Sequence, residues 1–277
     1  MRDMKKRKRK NLMIFIFLVI VAILMLLPFA WLILSSFREN MDLLSNPFGT
    51  PKSLSIQNYV DVFRRQPMLR YLFNTCLVAV IAVILDVFVS MLTGYAMLHK
   101  FRFRKTLSIM FYVGLFIPAN AFMVPYYIMI TKAGLYDKIA GLGMVYAAIN
   151  LPFSIMIIRG FLETLPKQVM ESGRIDGATT NQLLWKIVFP MSKPGIVTVC
   201  IFIIINSWNE LFFANLLTQS AKSQTITVAI KSFLSAFEAN YGYAFAAMMI
   251  SILPTIIVYV FLTNKIIGGM TAGAVKE

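Results

Sequence analysis

The chain has 277 residues, of which 58% are apolar, and it carries a formal net charge of +15. One water-soluble core of this length does not use so much apolar surface, which excludes an ordinary soluble domain. Two cysteines and a single histidine give no ligand set for zinc or haem, and no glycine-rich phosphate-binding loop occurs. We therefore predict a membrane protein that is not an enzyme, has no catalytic residue and binds no metal or cofactor itself.

Six apolar stretches follow one another along the chain, each close to the length of about 20 residues that a bilayer-spanning helix needs. They predict an all-α integral membrane protein with six transmembrane helices. The predicted domain boundaries are a basic N-terminus at 1–11, one membrane domain at 12–264 and a tail at 265–277. In chain order the predicted spans cover about residues 12–34, 71–98, 106–130, 139–158, 195–217 and 243–263.

The basic residues indicate how the chain is oriented. With an inner N-terminus, eighteen Lys and Arg residues fall on the inner side and nine on the outer side. Because cytoplasmic loops carry the excess of positive charge, both termini are predicted to be cytoplasmic. The run Lys5–Lys10 is interpreted as an inner anchor, so nucleic acid is not expected as a partner.

The longest predicted inner loop, residues 160–194, lies between the fourth and fifth spans. Its sequence predicts two short helices joined by a turn. Pro166 suits the beginning of the first helix, and Gly177 is expected to end it. Thr179 has the capping-box spacing that begins a second helix, which Pro190 is expected to end. The loop is therefore predicted to be a folded element and not a flexible linker.

Part of this loop resembles the signature of ATP-binding cassette importer permeases, written Glu-Ala-Ala, three residues, Gly, and then a distant Leu-Pro pair. Here the two alanines are replaced by Ser and Gly, and Phe189 precedes Pro190. Glycine weakens an isolated helix by about 1 kcal/mol relative to alanine. The resemblance implies that the following residues couple the chain to an ATPase: Glu171, Ser172, Gly173, Ile175, Asp176, Gly177 and Ala178.

Other stretches resemble the carbohydrate branch of this family, specifically its smaller, maltose-type second permease subunit. They are Asn58-Tyr59, the run Ser207–Glu210 and the ending Gly269–Lys276, and the likeness covers nearly the whole chain. The resemblance implies a transmembrane permease subunit of a sugar or oligosaccharide importer, located in the cytoplasmic membrane of a bacterium.

The same resemblance implies a set of partners. Loop 166–189 would be the coupling helix that transmits the motion of two cytoplasmic ATPase domains, which hold ATP and Mg. A second homologous permease subunit would complete the translocation path within the lipid bilayer. An extracytoplasmic solute-binding protein would deliver the cargo.

Polar residues inside predicted spans are the candidates for lining the translocation path. We single out Asn150, Asn206, Asn209 and Glu210, because intramembrane polar groups often face a cavity. Each of the four is equally able to bond a neighbouring helix. Asp86 and Asn120 are interpreted as structural.

Two outer segments carry further predictions. Ser55 is expected to begin a short helix, and Phe233, Phe237 and Tyr241 lie in the loop before the last span. These aromatic residues suit either a docking surface for the binding protein or an anchor at the membrane interface.

Three alternative functions remain open from the residues alone. An ion-coupled secondary transporter fits the hydropathy, although only two acids, Asp86 and Glu210, lie inside spans. An importer permease for a non-sugar solute such as glycerol phosphate is the second alternative. A membrane-embedded transferase is the third, but the acids of loop 160–194 are too scattered for a metal cluster.

Overall fold

A computed structural model describes the backbone of residues 2–234 and 239–274 and the side chains of residues 10–234 and 239–257. In these ranges all regular structure is helical and no strand occurs, which confirms the all-α class. The helices are α1 (Arg2–Ser36), α2 (Asn40–Ser45), α3 (Gln57–Arg65), α4 (Met68–Ala96), α5 (Arg104–Phe116), a 3₁₀ turn (Ala119–Phe122), α6 (Met123–Lys132), α7 (Ile139–Leu162), α8 (Lys167–Ile175), α9 (Thr180–Gln182), a π turn (Leu183–Val188), α10 (Phe189–Met191), α11 (Lys193–Asn209), α12 (Phe212–Leu217), α13 (Ile226–Ser232) and α14 (Tyr241–Ala274).

Several of these helices are long and apolar enough to cross a membrane. Within the described residues α1, α4 and α7 meet the length and composition needed, and two bent helix pairs raise the number to five. The first part of α14 is also apolar but shorter. The chain is therefore a multi-pass membrane protein, while the sixth span and the orientation stay predictions.

The third predicted span is not one continuous helix. Its two halves meet at an angle of 99° on either side of Pro118. Ile117 is extended there, with φ −84° and ψ 120°, because the ring of a proline disfavours a helical conformation in the residue before it. The span predicted over residues 106–130 is therefore present as two helices that meet at Pro118.

Pro152, unlike Pro118, does not break its helix. The sequence predicts an interruption of the fourth span at Asn150 and Pro152, yet α7 runs through both residues without a break. Prolines are tolerated inside membrane helices when neighbouring helices support the freed backbone groups. Here α7 packs against α4 and α11, and Pro152 lies against Gly114 of α5.

Two compact units make up the chain: residues up to Gln66 with Ile230–Pro254, and Pro67–Ala229 with the residues from Thr255 onward. In the second unit α4 packs along α7, and α11 contacts both. Gly143 allows the close approach, because a Cβ atom there would lie only 2.7 Å from Cγ2 of Ile81. The core of this helix trio includes Val78, Ala82, Met91, Leu142, Ile158, Val199 and Ile203.

The first unit contains a buried arginine just after α1. Arg38 is 2% exposed, and its Nε donates to Oδ2 of Asp42 at 2.7 Å. Its Nη2 donates to the carbonyl of Asn46 at 2.8 Å and its Nη1 to that of Pro47 at 3.1 Å. The Arg38 guanidinium holds the pKa of the Asp42 carboxyl below its ordinary value. The segment after α1 is therefore a fixed turn.

The predicted short outer helix is present as α3. It begins at Gln57, and the hydroxyl of Ser55 accepts the Gln57 backbone N–H at 3.1 Å. In the same unit Phe233 packs edge-on against Tyr243 with ring centroids 5.9 Å apart. Phe237 lies outside the described residues.

Asp137 joins two loops of the second unit. Its Oδ1 accepts the backbone N–H of Gln219 at 2.7 Å and that of Ser220 at 2.9 Å, together with the hydroxyl of Ser223. Desolvation raises the pKa of Asp137, but the hydrogen bonds from Ser223, Gln219 and Ser220 outweigh it and hold the pKa at about 2. The ionised carboxylate therefore fixes loop 218–225.

This arrangement predicts a loss of local stability in acid. Because the folded-state pKa of Asp137 lies below its ordinary value of 3.8, its contribution is present above pH 4 and disappears as the pH falls towards 2. Asp137→Asn should remove about 1–2 kcal/mol at neutral pH, after allowance for solvent screening. Hydrogen exchange of loop 218–225, corrected for intrinsic rates, measures the effect. Asp176→Asn, at an exposed acid, is the control, and equal wild-type protection at pH 5 and pH 2.5 would contradict the prediction.

Candidate functional site

The predicted coupling loop is a helical hairpin, here called the coupling hairpin, formed by residues 166–191. Its first helix, α8, ends in a Schellman motif. The backbone N–H of Ala178 donates to the carbonyl of Gly173 at 3.0 Å, and that of Gly177 to the carbonyl of Arg174 at 3.1 Å. Gly177 has φ +79°, a conformation that side chains with a Cβ rarely adopt. Gly177 therefore ends the helix as predicted.

The second arm of the coupling hairpin begins with the predicted capping box. The hydroxyl of Thr179 accepts the backbone N–H of Gln182 at 3.3 Å, and the Gln182 side chain accepts that of Thr179 at 2.8 Å. The arm continues through the π turn to Met191, one residue beyond the predicted end at Pro190. Proline has no N–H to donate, and the wider π turn before it accommodates this loss. The chain then bends by 75° into α11.

Gly173 explains how closely the two arms approach. It is the buried residue of α8, and a Cβ atom there would lie 2.7 Å from Cδ2 of Leu183 and 3.0 Å from Cδ1 of Ile187. The glycine that replaces the second alanine of the signature thus lets α8 lie directly on the apolar side of the second arm. The two arms therefore pack against each other, and Leu184 and Val188 of the second arm also belong to the core that includes α4, α7 and α11.

Substitutions at Gly173 should separate helix propensity from packing. Gly173→Ala displaces only the ends of two flexible side chains and gains about 1 kcal/mol of helix propensity, so near wild-type stability is expected. Gly173→Leu should cost about 2 kcal/mol or more through overpacking and should expose the coupling hairpin to proteases. Thermal unfolding and limited proteolysis measure both effects. Gly160→Leu is the control, since no atom lies within 4 Å of a Cβ there, and an equal loss in both leucine variants would refute the packing argument.

The end of the coupling hairpin forms an exposed surface, here called the hairpin tip. It consists of Glu171, Ser172, Ile175 and Asp176. Ile175 is 86% exposed, which leaves an isoleucine side chain in solvent between two acids. Such a protruding apolar residue with flanking charges suits insertion into a groove on another protein.

The four predicted path residues line one cavity of about 290 Å³ between α7 and α11. Asn206 Nδ2 donates to Oδ1 of Asn150 at 2.7 Å, and Asn150 Nδ2 donates to the carbonyl of Tyr146 at 2.8 Å. Asn150 is buried by these bonds, whereas Asn206 and Asn209 are exposed to the cavity. The complete lining is Tyr146, Ile149, Asn150, Ile205, Asn206, Ser207, Asn209 and Glu210.

Glu210 interrupts the fifth predicted span and holds the two halves together. It is extended, with φ −74° and ψ 127°, between α11 and α12. Its Oε1 accepts the backbone N–H of Phe213 at 2.9 Å, and its Oε2 accepts that of Ala214 at 3.0 Å. The hydroxyl of Tyr146 donates to Oε2 at 2.7 Å. The carboxylate therefore caps α12 and attaches it to α7, a role that the sequence pattern did not distinguish from path lining.

Other polar residues lie away from this cavity. Asp86 is 1% exposed, is absent from the lining, and faces the side chains of Ser154 and Cys200. Asn120 is exposed in the turn after Pro118. Sequence reasoning missed Tyr146 and Ser207 as lining residues. Tyr146 lies one helical turn before Asn150, and this spacing indicates that the two side chains share one face of the helix.

Membrane-spanning helices with breaks, a polar cavity and a helical hairpin outside the spans are features that suit a transport permease. Residues 86–267 match the family described as the binding-protein-dependent transport system inner membrane component. The chain belongs to this family.

Individual relatives agree with this assignment. The chain is 28% identical over 254 residues to the diacetylchitobiose uptake system permease protein DasC of Streptomyces coelicolor, covering 91% of this chain and 92% of that protein. It is 30% identical over 257 residues to the melibiose/raffinose/stachyose import permease protein MelC of Bacillus subtilis, covering 90% and 91%. A chain of a bacterial ABC transporter that imports alginate has the same fold, with a TM-score of 0.78 and 22% identity over 92% of this chain and 95% of that one.

Proposed function

We propose that this chain is the permease subunit of an ATP-binding cassette importer for a carbohydrate. The observation that carries the proposal is the family match over residues 86–267 together with the coupling hairpin that lies within them. DasC and MelC are named for the uptake of sugars, which supports a saccharide cargo. Family membership also favours this function over an ion-coupled secondary transporter.

The coupling hairpin is the element that receives force from the ATPase domains. Driving a two-state carrier from 1:99 to 99:1 requires a difference in binding free energy of about 5.5 kcal/mol. ATP and Mg on the partner supply this difference, and the hairpin tip is the contact through which it acts. This assignment places the coupling hairpin and both termini in the cytoplasm, with six spans crossing the membrane.

The cavity between α7 and α11 is this subunit's share of the translocation path. One chain provides one polar wall, lined by Asn206 and Asn209. A second, homologous permease subunit provides the facing wall. An extracytoplasmic binding protein delivers the cargo, as supported by the alginate transporter solved in complex with a pentasaccharide-bound periplasmic protein.

The central test is capture of the ATPase. The tagged chain, expressed in its native host, should retain a nucleotide-hydrolysing subunit in detergent. Deletion of residues 166–189 should abolish the retention and leave membrane insertion unchanged. Retention of the ATPase by the deleted chain would refute the role of the coupling hairpin. Uptake that stops on collapse of the proton gradient, while ATP remains, would refute the ATP-driven mechanism.

Asn209 provides a test of the path. Its Nδ2 donates to the carbonyl of Ile205 within the same helix, so Asn209→Leu leaves the helix contacts largely intact. We expect uptake to fall by about 5- to 150-fold, since a polar group that meets the cargo contributes about 1–3 kcal/mol. Asn120→Leu, at an exposed asparagine outside the cavity, is the control. Unchanged transport kinetics for Asn209→Leu would remove this residue from the path.

A further inference from the structure

The first arm of the coupling hairpin is bonded to the end of α4. Nη2 of Arg174 lies 2.8 Å from Nε2 of His99, the single histidine of the chain. Because a guanidinium can only donate, Nε2 accepts and the ring proton sits on Nδ1. Nδ1 lies 3.2 Å from the carbonyl of Tyr95, and the Tyr95 ring packs edge-on against the imidazole at 5.1 Å. The imidazole is thus held in one orientation with its acceptor towards Arg174.

The second arm contacts the same helix at another place. The indole of Trp185 stacks on Phe88 of α4, with ring centroids 5.7 Å apart and an interplanar angle of 12°. Phe88 lies about 12 Å before the end of α4 at Ala96, at 1.5 Å per residue, and His99 follows that end by three residues. A single contact would allow the coupling hairpin to pivot on α4. Two contacts this far apart make the two elements move together.

The far end of α4 holds the loop that follows α12. Nδ2 of Asn74 donates to the carbonyl of Gln224 at 2.8 Å, and the hydroxyl of Thr75 accepts the backbone N–H of Ile226 at 3.0 Å. At the next residue, the hydroxyl of Thr227 donates to the carbonyl of Glu210 at 2.9 Å. One rigid helix therefore connects the coupling hairpin with the segment that borders the break in the fifth span.

We propose that α4 is a lever of the coupling hairpin, and that Arg174 and His99 are the positioning residues that attach it. The covalent chain joins the coupling hairpin to α7 and α11, which themselves pack against α4, and the contacts at His99 and Phe88 attach the hairpin to α4 directly. Displacement of the hairpin tip by the ATPase then shifts loop 218–226 and the Glu210 break through α4. This inference rests on the proposed coupling function, and it identifies α4 as the path by which movement of the coupling hairpin reaches the break at Glu210.

The test uses the assembled importer, with Cys76 and Cys200 replaced by alanine and one bimane label introduced. A label at exposed Asn181 reports on the coupling hairpin, and a label at exposed Gln219 reports on the loop. The probe is Mg-ATP with orthovanadate. In the unsubstituted importer both labels should change their fluorescence.

Arg174→Met and His99→Phe should each reduce the change at Gln219 to about half or less, while the change at Asn181 persists. The double variant should be no worse than either single variant. His99→Gln should restore the response, because its amide oxygen takes the place of Nε2. Lys167→Met, which removes a charge from the same helix, should behave as the unsubstituted protein.

The outcomes separate the two proposals. An undiminished response at Gln219 in Arg174→Met overturns the lever, as does a His99→Gln variant that responds no better than His99→Phe. A silent label at Asn181 in the unsubstituted importer overturns the coupling function itself.

Discussion

Gly177→Val is expected to abolish the substrate-stimulated ATP hydrolysis of the assembled importer and its uptake, while membrane insertion stays normal. Gly177 has φ +79°, and no atom lies within 4 Å of a Cβ placed there, so backbone strain is the sole obstacle. For a β-branched residue the strain in this region costs about 2 kcal/mol or more. The turn relieves it by giving up the two Schellman hydrogen bonds, which reorients the hairpin tip. ATPase activity and uptake in proteoliposomes measure the loss.

Two variants make this result specific. Gly134 has φ +66° and equally open space, but it lies between α6 and α7, outside the coupling hairpin. Gly134→Val therefore introduces the same strain elsewhere and should retain stimulated hydrolysis. Gly177→Asn should retain most of the activity, because asparagine tolerates the left-handed region. Normal stimulation in Gly177→Val, or equal losses in Gly134→Val, would contradict the assignment.

Glu210→Ala is expected to lower the thermal stability of the permease by about 10 °C and to eliminate transport. The substitution leaves the backbone N–H groups of Phe213 and Ala214 without their acceptor, and it leaves the Tyr146 hydroxyl only the backbone carbonyl of residue 210 at 3.5 Å. Each unsatisfied group costs about 1–3 kcal/mol, so the two N–H groups together cost about 2–6 kcal/mol. Glu210→Gln should lie in between, since an amide oxygen can accept from one of the three donors. Thermal unfolding in lipid nanodiscs measures the series.

The neighbouring residue provides the matched control. Asn209→Ala removes a side chain that is exposed to the same cavity, and it should change the unfolding temperature by no more than about 2 °C. A stability of Glu210→Ala equal to that of Asn209→Ala would show that Glu210 does not hold the break, and would return its carboxylate to the list of groups that meet the cargo.

Local chemistry explains why the coupling hairpin could be predicted in detail. Gly177 ends a helix and Thr179 begins the next through interactions that span three to five residues. Such short-range rules act wherever these residues occur. The close approach at Gly173 was not predictable, because it depends on which side chains of the second arm face it.

Two prolines inside predicted spans show that residue type alone does not predict a helix break. Pro118 bends its predicted span by 99°, whereas Pro152 leaves α7 continuous. The residue type is the same, and the difference lies in the packing, since α7 is supported along its length by α4 and α11. Packing of this kind is a property of the folded chain and leaves little trace in a single sequence.

The sequence identified the asparagines that line the cavity, but it did not show how the helices around the cavity are broken and joined. Asn150 and Asn206 are conspicuous as polar residues in apolar stretches, and they meet at 2.7 Å. The function of Glu210 emerges only when the break in the fifth span is known, because its partners are the N–H groups that the break exposes. Tyr146 resembles an ordinary core aromatic in the sequence. Its role becomes clear only in the structure, where its hydroxyl donates to the carboxylate of Glu210.

The exposed isoleucine at the hairpin tip has a consequence for the life of the subunit in the cell. Ile175 leaves 86% of its surface uncovered. On the proposed function, a copy synthesised in excess of its ATPase would keep this isoleucine and the rest of the hairpin tip uncovered, which makes it a target for quality-control proteases. Matched production of the two polypeptides is therefore an advantage in its own right, independent of how fast the cargo crosses the membrane.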